Sequence, residues 1–181
     1  FTDKADALQQ QGKYVEARKA YQDSLAVKRE IGGDLRGEGV VLGQLGTLAI
    51  REGNLPEAAE RYRAALALFQ RLREPASEAV VWHQLGMVFQ KARQWDEAEK
   101  HYRESARIKE ENGMISGPNG ATTTWNQLAL VNDNAGKPDA AEMWYRKAME
   151  GGRQAGEMLG LSKRRNNLAG LLQTQLGRLA E

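Results

Sequence analysis

A single interval governs this chain. Tyr21, Tyr62, Tyr102 and Tyr145 recur at separations of 41, 40 and 43 residues, and Ala17, Ala58, Ala98 and Ala141 keep step four positions earlier. A second series runs beside it: Phe1, Leu42, Trp82, Trp125 and, more weakly, Arg165. It is followed three and four residues later by Leu45-Gly46, Leu85-Gly86, Leu128-Ala129 and Leu168-Ala169. Spacings of three and four place side chains on one stripe of a helix, so each period reads as two helices that are apolar on one side only. A lone pair of such helices cannot bury its stripe. Copies above and below it can, and the sequence supplies them.

Each slot has a physical reason. A glycine or alanine beside the leucine lets the second helix approach closely, and the matching alanine on that helix completes the contact. The aromatic series fills the wider gap between successive pairs, where full burial of such a side chain contributes about 1.5–3 kcal/mol. Gly12, Gly53 and Gly136 follow the first helices, where a left-handed residue ends a helix at little cost; Arg93 holds that slot in the third unit. Pro56 and Pro138 suit the starts of second helices. Glu38 and Glu78 suit the positive ends of first helices.

The pattern breaks at Gly32-Gly33-Asp34, Arg73-Glu74-Pro75, Asn112 to Gly120 and Gly151-Gly152. The expected repeats therefore cover 1–34, 38–75, 78–113 and 121–153, with a partial fifth over 161–181, in one domain 1–181. Asn132 is polar where an aromatic residue would fill the gap, which predicts a looser joint between the fourth and fifth units. The chain opens at Phe1 without an initiator methionine and stops at Glu181 inside the fifth unit, and it reads as a piece of a longer protein.

Composition narrows the chemistry. With no cysteine, thiolate nucleophiles, disulfides and cysteine-ligated zinc are excluded. A net charge of +2 over 181 residues, with acidic residues interleaved, provides no continuous basic stripe for nucleic acid and no pull toward a membrane surface. No apolar run reaches about 18 residues, the length a spanning helix needs. No cofactor loop is visible, and cytoplasm is the default compartment.

The residues that carry the period also carry a resemblance. Trp82-x2-Leu85-Gly86-x2-Phe89, then Ala98, Tyr102 and Ser105, resembles the tetratricopeptide pattern, and the unit from Leu42, with Ala65 in the last slot, resembles it equally. The period is near 40 rather than 34. That longer form is similar to the repeats of kinesin light chains, Pins-type adaptors and several bacterial regulators, whose inter-repeat connection Gly33-Asp34-x-x-Gly37-Glu38 resembles. HEAT or armadillo repeats are the structural rival at this period, but the tight Leu-Gly, Ala, Tyr spacing fits tetratricopeptides. The resemblance implies an all-α, right-handed superhelix of about four and a half helix-turn-helix repeats, with the first helices on its concave side.

Positions of the first helices that do not pack are then the candidate peptide or protein groove. They are Gln44, Thr47 and Arg51 in the second unit, and His83, Gln84, Met87, Gln90 and Lys91 in the third. The fourth contributes Asn126, Gln127, Leu130 and Asn134, and the fifth Asn166 and Asn167. The slot before the diagnostic leucine is an amide four times running, at Gln44, Gln84, Gln127 and Asn167. An amide both donates and accepts, so such a ladder can pair with the backbone of an extended peptide. Glutamine is also simply a good helix former on an exposed face.

Other groups point away from catalysis. His83 and His101 have no serine or carboxylate spaced to form a triad. Asp96-Glu97-x-Glu99 sits where acidic residues favour a helix start. Lys163-Arg164-Arg165 could meet a phosphate on an inner face or merely be solvated on an outer one. The resemblance also implies that a chaperone-tail clamp would need lysine and asparagine where this chain has Thr2 and Asp6.

The reading is a non-enzymatic scaffold that binds a protein or peptide, without metal or cofactor. Its competitor is a sensor controlling a fused nuclease, protease or DNA-binding unit. The apolar end of the incomplete fifth unit could also pair with a second copy.

Overall fold

The computed structural model describes residues 2–156, 165–174 and 177. Eight helices run in order among them: α1 (Thr2–Gln10), α2 (Tyr14–Ile31), α3 (Leu35–Arg51), α4 (Leu55–Leu72), α5 (Pro75–Lys91), α6 (Trp95–Glu111), α7 (Ala121–Asn134) and α8 (Pro138–Gln154). Residues 165–174 are helical as well, and there is no strand among the described residues. The chain divides into two compact units, 1–88 and 89–181, with the boundary inside α5.

Within the first unit, α1 pairs with α2, α2 packs on α3, and α3 pairs with α4; within the second, α6 packs on α7 and α7 pairs with α8. The expected contacts close these pairs. Ala17, Ala58, Ala98 and Ala141 are fully buried, and so, to within 1%, are Tyr21, Tyr62, Tyr102 and Tyr145. A Cβ on Gly46 would lie 3.0 Å from the Tyr62 ring, which is why the small residue beside Leu45 must stay small.

Three of the four buried phenols keep a polar partner on their own first helix. Tyr21 donates to Asp6 and Gln9, the Tyr62 hydroxyl pairs with Thr47 Oγ1 at 2.9 Å, and Tyr102 donates to Gln90 Oε1 at 2.6 Å. Burial pushes the Tyr145 phenol up to about 12, with the Asp133 carboxylate adding to it.

The turns inside the hairpins repeat one hydrogen-bond pair. Gly53 N donates to Ile50 O and Asn54 N to Ala49 O; Gly12 with Lys13 and Gly136 with Lys137 do the same. This is the Schellman closure, which needs one left-handed residue. Arg93 makes it too, at φ 57°, so the hairpin keeps its geometry although the glycine is missing. Asp34 and Asn54 cap α3 and α4 by accepting from Gly37 N and Glu57 N.

One expectation needs correcting. Gly151 and Gly152 do not break the chain; both are buried inside α8. A Cβ on Gly151 would fall 2.5 Å from Trp125 Cζ3, so the glycine is there to seat an indole. Asn132 lies on α7 facing the interior. It is fully buried, with Nδ2 donating to Leu128 O, while its Oδ1 has no hydrogen-bond partner among the described residues.

Ion pairs tie successive hairpins at equivalent places. Arg18, one residue after Ala17, pairs with Glu52 and, at 2.7 Å, with Glu57. In the second unit Glu99, one residue after Ala98, pairs with Lys137, which also meets Asp96 at 2.8 Å. The slot is the same and the polarity is inverted. The carboxylates at the start of α6 are thus joint residues. The His101 ring stacks on Phe89 at 4.7 Å and its Nδ1 meets the Glu97 carbonyl, so it is a core residue. Lys147 lies 4.6 Å from the Trp125 ring centre and pairs with Glu110, fastening α8 to α6 and α7.

One buried group opposes folding at neutral pH. Lys109 is 2% exposed and donates to Thr124 Oγ1 at 2.7 Å, and burial lowers its ammonium to about 8 from 10.5. Between those values the unfolded chain holds the proton and the folded chain does not, so this contribution to stability rises with pH through that window and is lost below it. Lys109→Met is expected to raise stability by about 1–3 kcal/mol at pH 7. The gain should shrink as pH rises from 8 toward 10.5, read as the difference between variant and parent in urea unfolding. A gain independent of pH would contradict the assignment.

Candidate functional site

Inside the first unit, the consecutive first helices α3 and α5 both line a cavity of about 410 Å³. From α3 it takes Gly39, Val40, Gly43, Gln44 and Thr47, a stripe at helical spacing. From α5 it takes the matching stripe Ala76, Ser77, Val80, Val81 and Gln84, while Tyr62 and Phe69 of α4 complete the lining. None of these residues carries a charge.

Four glycines fall in the seventeen residues of α3, although each weakens a helix by about 0.8–1 kcal/mol relative to alanine. Three have a packing reason. A Cβ on Gly37 would collide with the capping Asp34 carboxylate and the Lys28 ammonium, Gly39 faces Phe69 with 2.9 Å to its hypothetical Cβ, and Gly46 faces Tyr62. Gly43 has none: a Cβ there would meet nothing within 4 Å. Its open side contributes to the cavity.

Polar groups in the cavity divide into engaged and free. Thr47 Oγ1 is held by Tyr62 and by Gly43 O, and Ser77 donates to Glu74 at 2.8 Å. Among the described residues no hydrogen bond engages the Gln44 or Gln84 amide, and both are half-buried. The charges that precede the cavity on α3 are already paired, Arg36 with Glu74 at 3.0 Å and Glu38 with Arg29 at 2.7 Å.

The structure thus gathers Gln44, Thr47 and Gln84 at one place. None of the other eleven candidates lines that cavity. The Arg51 guanidinium sits over the Tyr14 ring at 6.0 Å. His83 and Met87 are half-buried on α5, and Lys91 is exposed at its end. Gln90 accepts from Tyr102, so its oxygen serves the hairpin.

In the second unit Gln127 and Leu130 are half-buried on α7, Asn134 donates to Leu130 O, and Asn126 keeps a buried Oδ1 with no partner among the described residues. Asn166 is exposed and Asn167 half-buried in the segment 165–174. Asp6, at the clamp position, holds Tyr21, and Lys163-Arg164 lies outside the described residues. The residues that sequence reasoning missed are Gly39, Val40, Gly43, Ser77 and Val80; the density of glycine in one helix was the available signal.

A family model described as tetratricopeptide repeat matches residues 2–71, 38–111 and 77–154. The chain belongs to the tetratricopeptide-repeat family. Solved structures agree on the fold. BtubC (BKLC) from P. vanneervenii is similar over 93% of this chain and 69% of its own, at 23% identity and a TM-score of 0.83. The nearly identical TPR-like repeats described for a Podosopora anserina kinesin light chain cover 99% of this chain and 86% of theirs, at 16% identity and 0.82.

The TPR domain of Arabidopsis FLU covers 64% of this chain and 95% of its own, at 21% identity and 0.59. No curated protein sequence matches the chain. As a tetratricopeptide-repeat protein it falls in a class of protein–protein interaction scaffolds whose fold is typically non-catalytic. No helix among the described residues is long and apolar enough to cross a membrane.

The glycine accounting can be tested. Gly43→Ala is expected to raise stability by about 0.5–1 kcal/mol in urea unfolding, because it restores helix propensity without a clash. A loss of stability would mean that Gly43 has a packing role in the fold.

Proposed function

We propose that this tetratricopeptide-repeat chain holds an extended segment of a partner protein against its first helices, with the cavity between α3 and α5 as the anchor point. The observation that carries the reading is the pair of free, half-buried amides, Gln44 and Gln84, lining one uncharged cavity. Neither amide is tied to the fold, so both can exchange water for the hydrogen bonds of a ligand that satisfies donor and acceptor together. Backbone of an extended peptide does so, through one N–H and one C=O per residue. Gln127 and Asn167 hold the corresponding slots of the second unit and are proposed to act alike.

A photo-crosslinking residue placed at Val40, which is 37% exposed at the cavity, tests the reading in the native host. The expected outcome is a crosslink to a defined partner segment that falls at least fivefold when Gln44→Ala and Gln84→Ala are combined. The same probe at Arg103, on the opposite helix layer of the second unit, should capture far less. Equal capture from Arg103, or capture at Val40 indifferent to the double substitution, would remove the site from this cavity.

A further inference from the structure

The cavity between α3 and α5 is more selective than a peptide groove has to be. Its twelve lining residues are uncharged, and the two hydroxyls among its non-aromatic members, Thr47 and Ser77, are taken by internal hydrogen bonds. Only the Gln44 and Gln84 amides remain to bond a ligand. A carboxylate or ammonium entering this space would lose water and meet no counter-charge, because Arg36 and Glu38 are bound to Glu74 and Arg29. An aliphatic side chain meets Val40, Val80, Val81 and the Phe69 ring instead. The space of about 410 Å³ holds such a side chain together with its backbone, and Gly43 adds room that no described residue fills.

The two amides decide the backbone form of the occupant. A helical ligand has already satisfied its own N–H and C=O groups and offers the amides nothing, whereas an extended residue presents both. We infer that this cavity is a specificity pocket that takes an aliphatic side chain of an extended peptide and rejects charged residues at that position. The inference rests on the peptide-binding reading above and adds to it the chemistry of one ligand position.

A phage-displayed random heptapeptide library, panned against the full chain, tests it. Enriched peptides should share one position occupied by Leu, Ile, Val or Met and free of Asp, Glu, Lys and Arg. Replacing that residue by Asp or Lys in a synthetic copy should weaken binding to the parent chain at least tenfold, a measurement that requires no protein variant. Gly43→Trp, which fills the cavity, should weaken the original peptide at least tenfold, with helicity checked by circular dichroism. Gly43→Asp should shift the preferred residue at that position from aliphatic to Lys or Arg, a change that loss of structure cannot mimic.

Enriched peptides that carry charge at every aligned position, or whose affinity ignores Gly43→Trp, would overturn the pocket. If their binding instead falls with Gln127→Ala, peptide binding stands and this pocket does not. If no peptide is enriched, both readings fail.

Discussion

The hairpins of this structure depend on the buried tyrosine of the second helix and on how it meets the first helix of its own pair. Tyr62 against Gly46 shows why. The ring lies 3.0 Å from where a Cβ on Gly46 would be, and its hydroxyl reaches Thr47 one residue further along. The same ring therefore sets both the distance between two helices and the rotation of the first about its axis. Gln44, three residues before Thr47, shares that face, so fixing Thr47 also fixes where the free amide points. Packing and the candidate site are two ends of one interaction. Tyr102 repeats it with Gln90, and Tyr21 with Asp6 and Gln9, each using whatever polar group the first helix offers.

Around these contacts the joints between hairpins are specified locally. Arg18 with Glu52 and Glu57, and Lys137 with Asp96 and Glu99, use one slot with opposite signs. Such pairs add little stability at a surface, of the order of 0–1 kcal/mol, but like charges in a wrong pairing would repel. The inverted polarity thus distinguishes one joint from the other. Trp125 on Gly151, with Lys147 and Glu110 above it, gives the fourth hairpin a packing solution of its own.

Much of the fold was legible because it rests on short-range spacing. The Ala-to-Tyr interval, the glycines at 12, 53 and 136 and the prolines at 56 and 138 each act within a turn or two of helix, so a linear reading finds them. What was lost depends on neighbours distant in sequence. Gly151-Gly152 looked like a break because the ring that explains it, Trp125, lies 26 residues earlier. Arg93 looked like a weak turn because hydrogen bonds, not the side chain, hold its left-handed backbone.

The candidate site was half legible for the same reason. The amides stand in a fixed slot, but which other residues share a cavity with them is decided by where the fold places α3 and α5. Thr47 and Gln90 look free on a helical wheel and are tied to tyrosine hydroxyls from across the hairpin.

The most direct measurement is a double-mutant cycle on Tyr62→Phe and Thr47→Val, followed by urea unfolding. If the hydroxyl pair fixes the first helix as described, the two substitutions should couple by about 0.5–1.5 kcal/mol, the net worth of a buried hydrogen bond. Additive effects, within about 0.3 kcal/mol, would show that the ring packs without orienting the helix and would contradict the account at its root.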